Sequence, residues 1–390
     1  MCIDSKETKP DVIIVGAGII GLSIAYHILE ANPRLSITIL EKENLLGLGS
    51  TGKCTGGIRY QFSSPVLRRL SLLSRDFFLN FETVFDTPSW YRERGYLMLA
   101  AHEDLWNHLK ETTEHAESDG IPMVLFDREG LERRFPYLNR ERFLGGRLCP
   151  WDAYADPYAI LAALFAAVRR RGAVVHYNRE ATKLIVNGSV IDGVETNQGE
   201  IRSPLIVNAA GPYAAKLAAT AGIKLPVQPF RRQVYVCTNP KDVPKAAPMI
   251  VDLDSGFYLH QEASGMTVLL GGTDKNARPG LEEAVDKSLA EEFFLAAMEA
   301  IPSVVNIKWL KTYTGIREQT PDYHPIIGEA PGVKGLFLAS GFGGNGFMHA
   351  PAAGRIVADL ILKGKTELID INSFLPDRFS SDQLLETHIF

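Results

Sequence analysis

Apolar residues follow two different periods along this chain, and the change between them divides it. Residues 12–15, 205–207 and 336–339 are unbroken apolar runs, the pattern of strands buried on both faces. The first and last lead into glycine and then into helical spacing, with Ile20, Ile24 and Ile28 after the first and residues 352–362 after the last. The middle, roughly 223–325, instead alternates over 233–238, 256–261 and 267–271 and is richer in proline. It predicts an antiparallel sheet, with one helix over 289–300 ending before Pro302. Between these regions, helical spacing predicts helices over 66–85, 102–118, 127–135 and 156–171. Strands are predicted over 95–99 and 174–177, and two short ones lie around 186–188 and 193–195. The aromatic face of 66–85 (Phe77, Phe78, Phe81) reads as core packing. The chain therefore predicts an α/β domain returning in pieces around an inserted α+β domain.

The opening run carries the sharpest chemistry. Gly16, Gly18 and Gly21 stand at GxGxxG spacing between a strand and a helix. A second strand, 36–40, ends in Glu41, twenty residues beyond Gly21. This order is that of a dinucleotide site. Gly16 permits the tight turn, Gly18 admits a pyrophosphate to the backbone, and Gly21 lets the helix pack on the strand. The helix N-terminus offers N–H groups to the phosphates. Glu41 can accept from both ribose hydroxyls and would repel a 2′-phosphate, so NADP is disfavoured. The motif alone leaves FAD and NAD open. Further glycine-rich segments at 47–57, 209–211 and 341–346 are places where main chain can approach a flat ligand.

Size and composition narrow the rest. A chain of 390 residues, 46% hydrophobic and 22% charged, is ordinary for a globular protein of two domains. A net charge of −5 supplies no basic field for nucleic acid. No apolar stretch approaches the roughly 20 residues of a membrane span, and the first residues lack the apolar segment of a signal peptide. The expected location is the cytoplasm. Cys2, Cys54, Cys149 and Cys237 are scattered without a CxxC pair, so no metal site is expected. Cys54 reads as a small packed residue.

The ordered runs IIVGAGIIGLSIAYHI, GSTGKCTGGIR, VNAAGPYA, TGIREQTPDYHPIIG and GLFLASGFGGNGFMHAPAAGRIVADLI resemble the FAD-dependent amine oxidoreductases of the D-amino acid oxidase superfamily. They span nearly the whole chain. STGKCTGGIRYQF and the ending GFMHAPAAG…VADLILKGKTEL are most similar to the β subunits of dye-linked L-proline dehydrogenase and heterotetrameric sarcosine oxidase. The resemblance implies a discontinuous Rossmann-like FAD-binding domain over 1–85, 150–222 and 326–390. A substrate domain built on an antiparallel sheet is then implied over 86–149 and 223–325.

The same resemblance implies FAD at the opening motif, held by Gly16, Gly18, Ile19, Ile20, Glu41 and Lys42. Its isoalloxazine would lie between Ser50, Thr51, Thr55, Gly56, Gly57 and Ile58 on one side and the loops of Ala210, Gly211, Gly315 and Arg317 on others. Gly341, Gly343, Gly344, Asn345, Gly346, Phe347 and Met348 would turn N–H groups and a helix dipole toward the pyrimidine edge, stabilising negative charge on reduction. Arg59 and Arg317 stand where family arginines bind a substrate carboxylate through the bidentate guanidinium fork. Tyr258, in GFYLHQ, can wall the pocket or hydrogen-bond the substrate, and His260 shares its face. His324 takes a structural role by the same likeness, and His349 is a weaker pocket candidate. Arg231 and Arg232, at a strand start, read as structural.

Two departures from the family pattern bear on chemistry. Gly315 stands where monomeric sarcosine oxidases carry the cysteine that attaches FAD, so the FAD here is expected to be non-covalent. Leu269 or Leu270, and Met348, stand where those enzymes have lysines. Loss of positive charge weakens stabilisation of superoxide, so a dehydrogenase is expected. It would pass hydride from Cα to flavin N5 and the electrons to an acceptor other than O2. An oxidase releasing H2O2, a glycerophosphate-type dehydrogenase and a non-catalytic FAD-holding subunit are the rival readings. The β-subunit likeness implies a hetero-oligomer with an α subunit, with an FMN between the two, and an amino acid such as L-proline or sarcosine as substrate.

Overall fold

The computed structural model describes residues 9–262, 265–274 and 276–380. Cys2, and the stretch 381–390 of the expected cofactor domain, lie outside the described residues. Two large sheets organise the rest. The first has the order Ile326–Glu329, Leu336–Ser340, Leu205–Asn208, Val12–Val15, Ile37–Leu40, Val174–His176. Every neighbouring pair is parallel except the one between Ile326–Glu329 and Leu336–Ser340. The central strands are buried on both faces, as their unbroken apolar runs require. Helices Ile19–Ala31 and Gly346–Lys363 pack against one another over this sheet. A Cβ on Gly354 would stand 2.4 Å from Ser23 Oγ, so small residues set how closely the helices approach.

The second sheet has eight strands, in the order Trp309–Gln319, Gln228–Thr238, Thr267–Gly271, Tyr258–Gln261, Met249–Asp252, Tyr96–Ala100, Gly145–Cys149, Val124–Asp127. It is antiparallel apart from the pairing of Met249–Asp252 with Tyr96–Ala100. Strands on either side of residues 150–222 thus share one sheet. Its core includes Tyr235, Phe257, Leu259, Leu270 and Phe293.

Local chemistry explains some of the helix starts. Asp156 caps Pro157–Arg170 by accepting from the N–H groups of Tyr158 and Ala159 at 2.8 and 3.1 Å, with proline at the first position. Ser64 and Pro65 play the same parts for Pro65–Leu79. Two helices differ from the sequence reading. The helix expected over 66–85 divides at Asn80, which leaves helical geometry and returns its side-chain amide to the Asp76 carbonyl at 2.9 Å. The last helix begins at Gly346 rather than 352 and continues through Pro351. That proline forfeits one backbone hydrogen bond, while the buried packing of residues 347–354 holds the helix together.

The strand Trp309–Gln319 was hidden because it lies at a sheet edge. Its polar and glycine positions do not alternate against the core.

Candidate active site

A cavity of about 790 Å³ runs between the two sheets, within the range of small-molecule and cofactor sites. The loop at Ser50–Lys53 closes one side of it. The Ser50 hydroxyl donates to the Ile316 carbonyl at 2.7 Å, and the Lys53 side chain, ion-paired with Glu283, lies over Gly315. This clasp joins the first sheet's loop to the second sheet's edge strand.

One part of the wall is the glycine turn. At Gly16, φ is +105° and a Cβ would stand 2.5 Å from the Ala209 carbonyl oxygen, so only glycine fits. Gly21 sits on the Gly16 carbonyl, where a Cβ would approach to 2.0 Å. At Gly18 the only close neighbour is Thr51 Oγ1, at 3.3 Å, and the backbone there stands open to the cavity. Glu41 accepts from the Ala17 N–H at 3.0 Å and, through its other oxygen, from the Glu43 N–H at 3.0 Å. Its carboxylate is thereby fixed beside the turn.

Two helix N-termini face this one cavity. The helices begin at Ile19 and Gly346, and neither has a side-chain cap on its first turn from the preceding residue or an acidic residue in that turn. Among the described residues, only the Ile19 N–H of these first turns has a side-chain acceptor, Thr51 Oγ1 at 3.1 Å. Such termini attract phosphates and developing negative charge. Gly56 and Gly57 bring the loop after residue 50 into close contact. A Cβ on Gly56 would meet the Ala155 carbonyl oxygen at 2.0 Å, and one on Gly57 the Tyr96 hydroxyl at 2.0 Å. A carboxylate beside a glycine turn, with two uncapped helix ends, fits the ribose, pyrophosphate and flavin of FAD.

The chain belongs to the FAD dependent oxidoreductase family (DAO), whose profile matches residues 11–360. Human mitochondrial dimethylglycine dehydrogenase is 28% identical to it over 96% of this chain, which spans 45% of that protein. The structure of L-proline dehydrogenase from P. horikoshii matches at a TM-score of 0.88 with 28% identity, covering 96% of this chain and 99% of that one. Glycine oxidase from Geobacillus kaustophilus matches at 0.84 with 26% identity, covering 95% and 98%. The chain is an FAD-dependent oxidoreductase, and the relative and structures named here are enzymes of amino acids and amines.

Most residues singled out from the sequence meet in the one cavity. Gly16, Gly18, Ile19, Ile20, Glu41, Lys42, Ser50, Thr51, Thr55, Gly56, Gly57, Arg59, Ala210, Gly211, Tyr258, Gly315, Arg317, Gly343, Gly344, Asn345, Gly346, Phe347 and Met348 all line it. Two stand behind its wall. Ile58 is buried in the core of the first sheet, its side chain alternating away from Arg59 and Gly57. Gly341, at φ +76°, turns the chain against Thr320, whose methyl a Cβ would meet at 2.7 Å. Leu269 packs with Val234, Val236 and Tyr313, and His260 stands edge-on to Tyr154 at 5.1 Å. His349 is buried against the Ser71 hydroxyl, 3.0 Å from Nε2, and His324 Nε2 lies 2.6 Å from Ser64 Oγ.

The polar end of the cavity is built by Arg59, Arg317, Tyr258 and a fourth residue, Arg232. Arg59 stacks on Phe62 at 4.1 Å, and its backbone N–H donates to Met348 Sδ at 3.4 Å. Tyr258 lies across Gly271, where a Cβ would stand 2.3 Å from its hydroxyl. Burial pushes the Tyr258 phenol up to about 12, against the pull of Arg317 and Arg232, so it is a neutral donor at neutral pH. Burial also lowers Arg317.

Sequence reading missed three groups here. Arg232 was assigned to structure, yet it lines the cavity. Glu318 lines it too, and burial pushes its carboxyl up to about 7, opposed by N–H groups of its own residue and Phe342 and by Arg317. Asp152 lies outside the wall and is fully buried. It accepts from the Tyr60 N–H and the Gln61 side-chain amide, both at 2.6 Å, while Arg147 donates to Gln61 Oε1 at 3.1 Å. Burial raises Asp152 to about 6 despite these bonds and the charge of Arg59. Only the alternation around Arg232 offered a sequence signal for any of the three.

Proposed function

We propose that the chain oxidises an α-amino acid or small secondary amine, of the proline or sarcosine kind, as a dehydrogenase. The observation that carries this reading is the meeting of Arg59, Arg317 and Tyr258 in one glycine-walled cavity. Bound FAD supplies the hydride acceptor. Arg59 and Arg317 hold the substrate carboxylate by charge-assisted hydrogen bonds. The half-buried Tyr258 hydroxyl donates to the same end, and the apolar surroundings of Phe347 and Met348 exclude water from the Cα–H. The non-ionised amine is the reactive form, and a wall bearing guanidinium charge favours it over the ammonium.

By the likeness, Leu269 or Leu270, and Met348, stand where lysines would assist O2 reduction, and of these Met348 lines the cavity as an apolar group. This supports an acceptor other than O2. The similarity to the P. horikoshii L-proline dehydrogenase points the same way. The likeness to a glycine oxidase favours the rival, an oxidase releasing H2O2. An α subunit with FMN at the shared face, and a hetero-oligomer, complete the proposal. Anaerobic mixing of the FAD-loaded protein with proline, sarcosine and glycine tests it. Bleaching of the flavin band, with dye reduction far exceeding peroxide release in air, is the expected result. Peroxide release equal to dye reduction gives the oxidase. No bleaching by any amino acid, dicarboxylic ones included, with substrate turnover of the native complex unaltered by Arg317→Met, gives a non-catalytic FAD-holding subunit.

A further inference from the structure

We infer that Arg232 is the anchor for a second carboxylate, so that among α-amino acids and small secondary amines the site favours those that carry a second carboxylate over proline or sarcosine themselves. The inference rests on amino-acid oxidation at this site and specifies its substrate class.

Strand register places the residue. Arg232 stands directly opposite Gly315, and Arg317 lies two residues further along the same edge strand. Directly opposed residues share a face and so do residues two apart, so Arg232 and Arg317 are diagonal neighbours on the cavity face. Gly315 has no side chain to come between them. Arg231 alternates to the other face, where it pairs with Asp286 at 3.2 Å and donates to the Ala284 carbonyl at 2.7 Å. The two consecutive arginines therefore have different work.

Arg232 has no such carboxylate partner among the described residues, and its guanidinium stands 5.8 Å from the centre of the Phe230 ring. Among the described residues, neither Arg232 nor Arg317 has a carboxylate within ion-pair distance, while both line the cavity. Arg232 Nη1 donates to the Arg231 carbonyl at 3.0 Å, but its Nε is buried without a hydrogen-bond partner. Burial and the charge of Arg317 lower Arg232 to about 10, against the attraction of Asp274, Tyr323 and Tyr258. Two neighbouring guanidiniums on one cavity face are unfavourable until an anion comes between them. A single carboxylate is met by Arg59 and Arg317. The remaining fork matches a second carboxylate, one carried on the substrate's side chain or on its nitrogen.

The test compares N-methylaspartate and glutamate with sarcosine and alanine as anaerobic reductants of the FAD-loaded protein. In parallel, succinate and acetate are titrated by the flavin difference spectrum. Dicarboxylates should reduce at the lower KM, and succinate should bind more tightly than acetate by about 10- to 100-fold, the range of one charge-assisted pair. Arg232→Met should cut that preference by about tenfold or more, and Arg232→Lys should restore part of it. Succinate binding no better than acetate, or Arg232→Met weakening both alike, overturns the inference. If sarcosine is oxidised while succinate shows no preference, the amine reading stands and this inference falls. If no amino acid is oxidised but succinate binding depends on Arg232, the dianion site stands and the amine reading falls.

Discussion

The guanidinium of Arg317 lies so close to the backbone of Gly344 that a Cβ at position 344 would stand 2.4 Å from its Nε. The Gly343 N–H donates to the Glu318 carbonyl at 2.9 Å, so the glycine loop is tied to the strand that bears the arginine. The loop before the last helix therefore does two things. It lines the cavity through Gly343, Gly344 and Asn345, and it covers one face of the guanidinium, fixing where its fork can point.

Gly344→Ala should consequently damage substrate binding more than its neighbour does. At Gly344 φ is +94° and the new methyl meets Arg317, whereas at Gly343 φ is +60° and the nearest atom is the Tyr323 carbonyl oxygen at 3.6 Å. Both alanines carry backbone strain of about 1–3 kcal/mol. Only the first displaces the arginine, and its KM for the amino acid should exceed that of Gly343→Ala by about tenfold or more. Steady-state kinetics of the two holoenzymes read the difference. Equal KM values would show that Arg317 is not positioned by this contact.

The glycines of the opening turn separate folding from cofactor binding. Gly16→Ala sets a Cβ 2.5 Å from the Ala209 carbonyl oxygen at φ +105°, so it should destabilise the protein with or without FAD. Gly18→Ala meets only Thr51 Oγ1, at 3.3 Å, and its φ is an ordinary −71°. The apoprotein should keep its melting temperature within a few degrees, while FAD affinity falls by about tenfold or more as the methyl enters the pyrophosphate's place. FAD titration and thermal melts of both apoproteins check this. An apo Gly18→Ala protein that melts like apo Gly16→Ala would refute the separation.

The sequence was most legible where one physical demand acted alone. The runs at 12–15 and 336–340 predict buried strands because only burial shapes them, and Gly16 is forced by backbone geometry. Legibility failed where the site and the fold compete. The strand Trp309–Gln319 carries Gly315, Arg317 and Glu318 into a cavity rather than into a core, so its side chains break the alternation that marks a strand. Arg231 and Arg232 look alike in sequence, and only the register with the edge strand separates a surface ion pair from a cavity wall. Gln61 is far along the chain from both Arg147 and Asp152, and the three form a network only in three dimensions.

Asp152 makes stability depend on pH with a sign opposite to that of most paired carboxylates. Its folded value, about 6, lies above the ordinary 3.8. The folded state holds the proton more tightly, so stability is greatest below the unfolded value and declines as pH rises from about 4 to about 6. The decline attributable to this group is about 3 kcal/mol. Asp152→Asn cannot ionise and should lack that decline, whatever stability it loses from a less complementary bond to the Tyr60 N–H. Urea midpoints for both proteins at about pH 4 and about pH 7 measure the slope. Parallel pH dependence in the two would remove Asp152 as its source.

Glu318 should set the pH dependence of anion binding at the cavity. Its carboxyl is pushed up to about 7 by burial, and it acts on Arg317. Below that pH it is neutral and leaves the guanidinium to an incoming carboxylate. Above it, the ionised group draws on the same positive charge and repels the ligand. A simple carboxylate such as acetate, with no amine to titrate, should therefore bind the FAD-loaded protein more weakly as pH rises through about 7. Glu318→Gln keeps the shape but cannot ionise, so its affinity should stay level across the same interval, near the low-pH value of the parent. Flavin difference spectra with acetate at intervals between about pH 6 and about pH 8 give both curves. If the parent's affinity were flat while the variant's declined, the carboxyl would be acting through the fold of the Phe342 loop rather than through its charge.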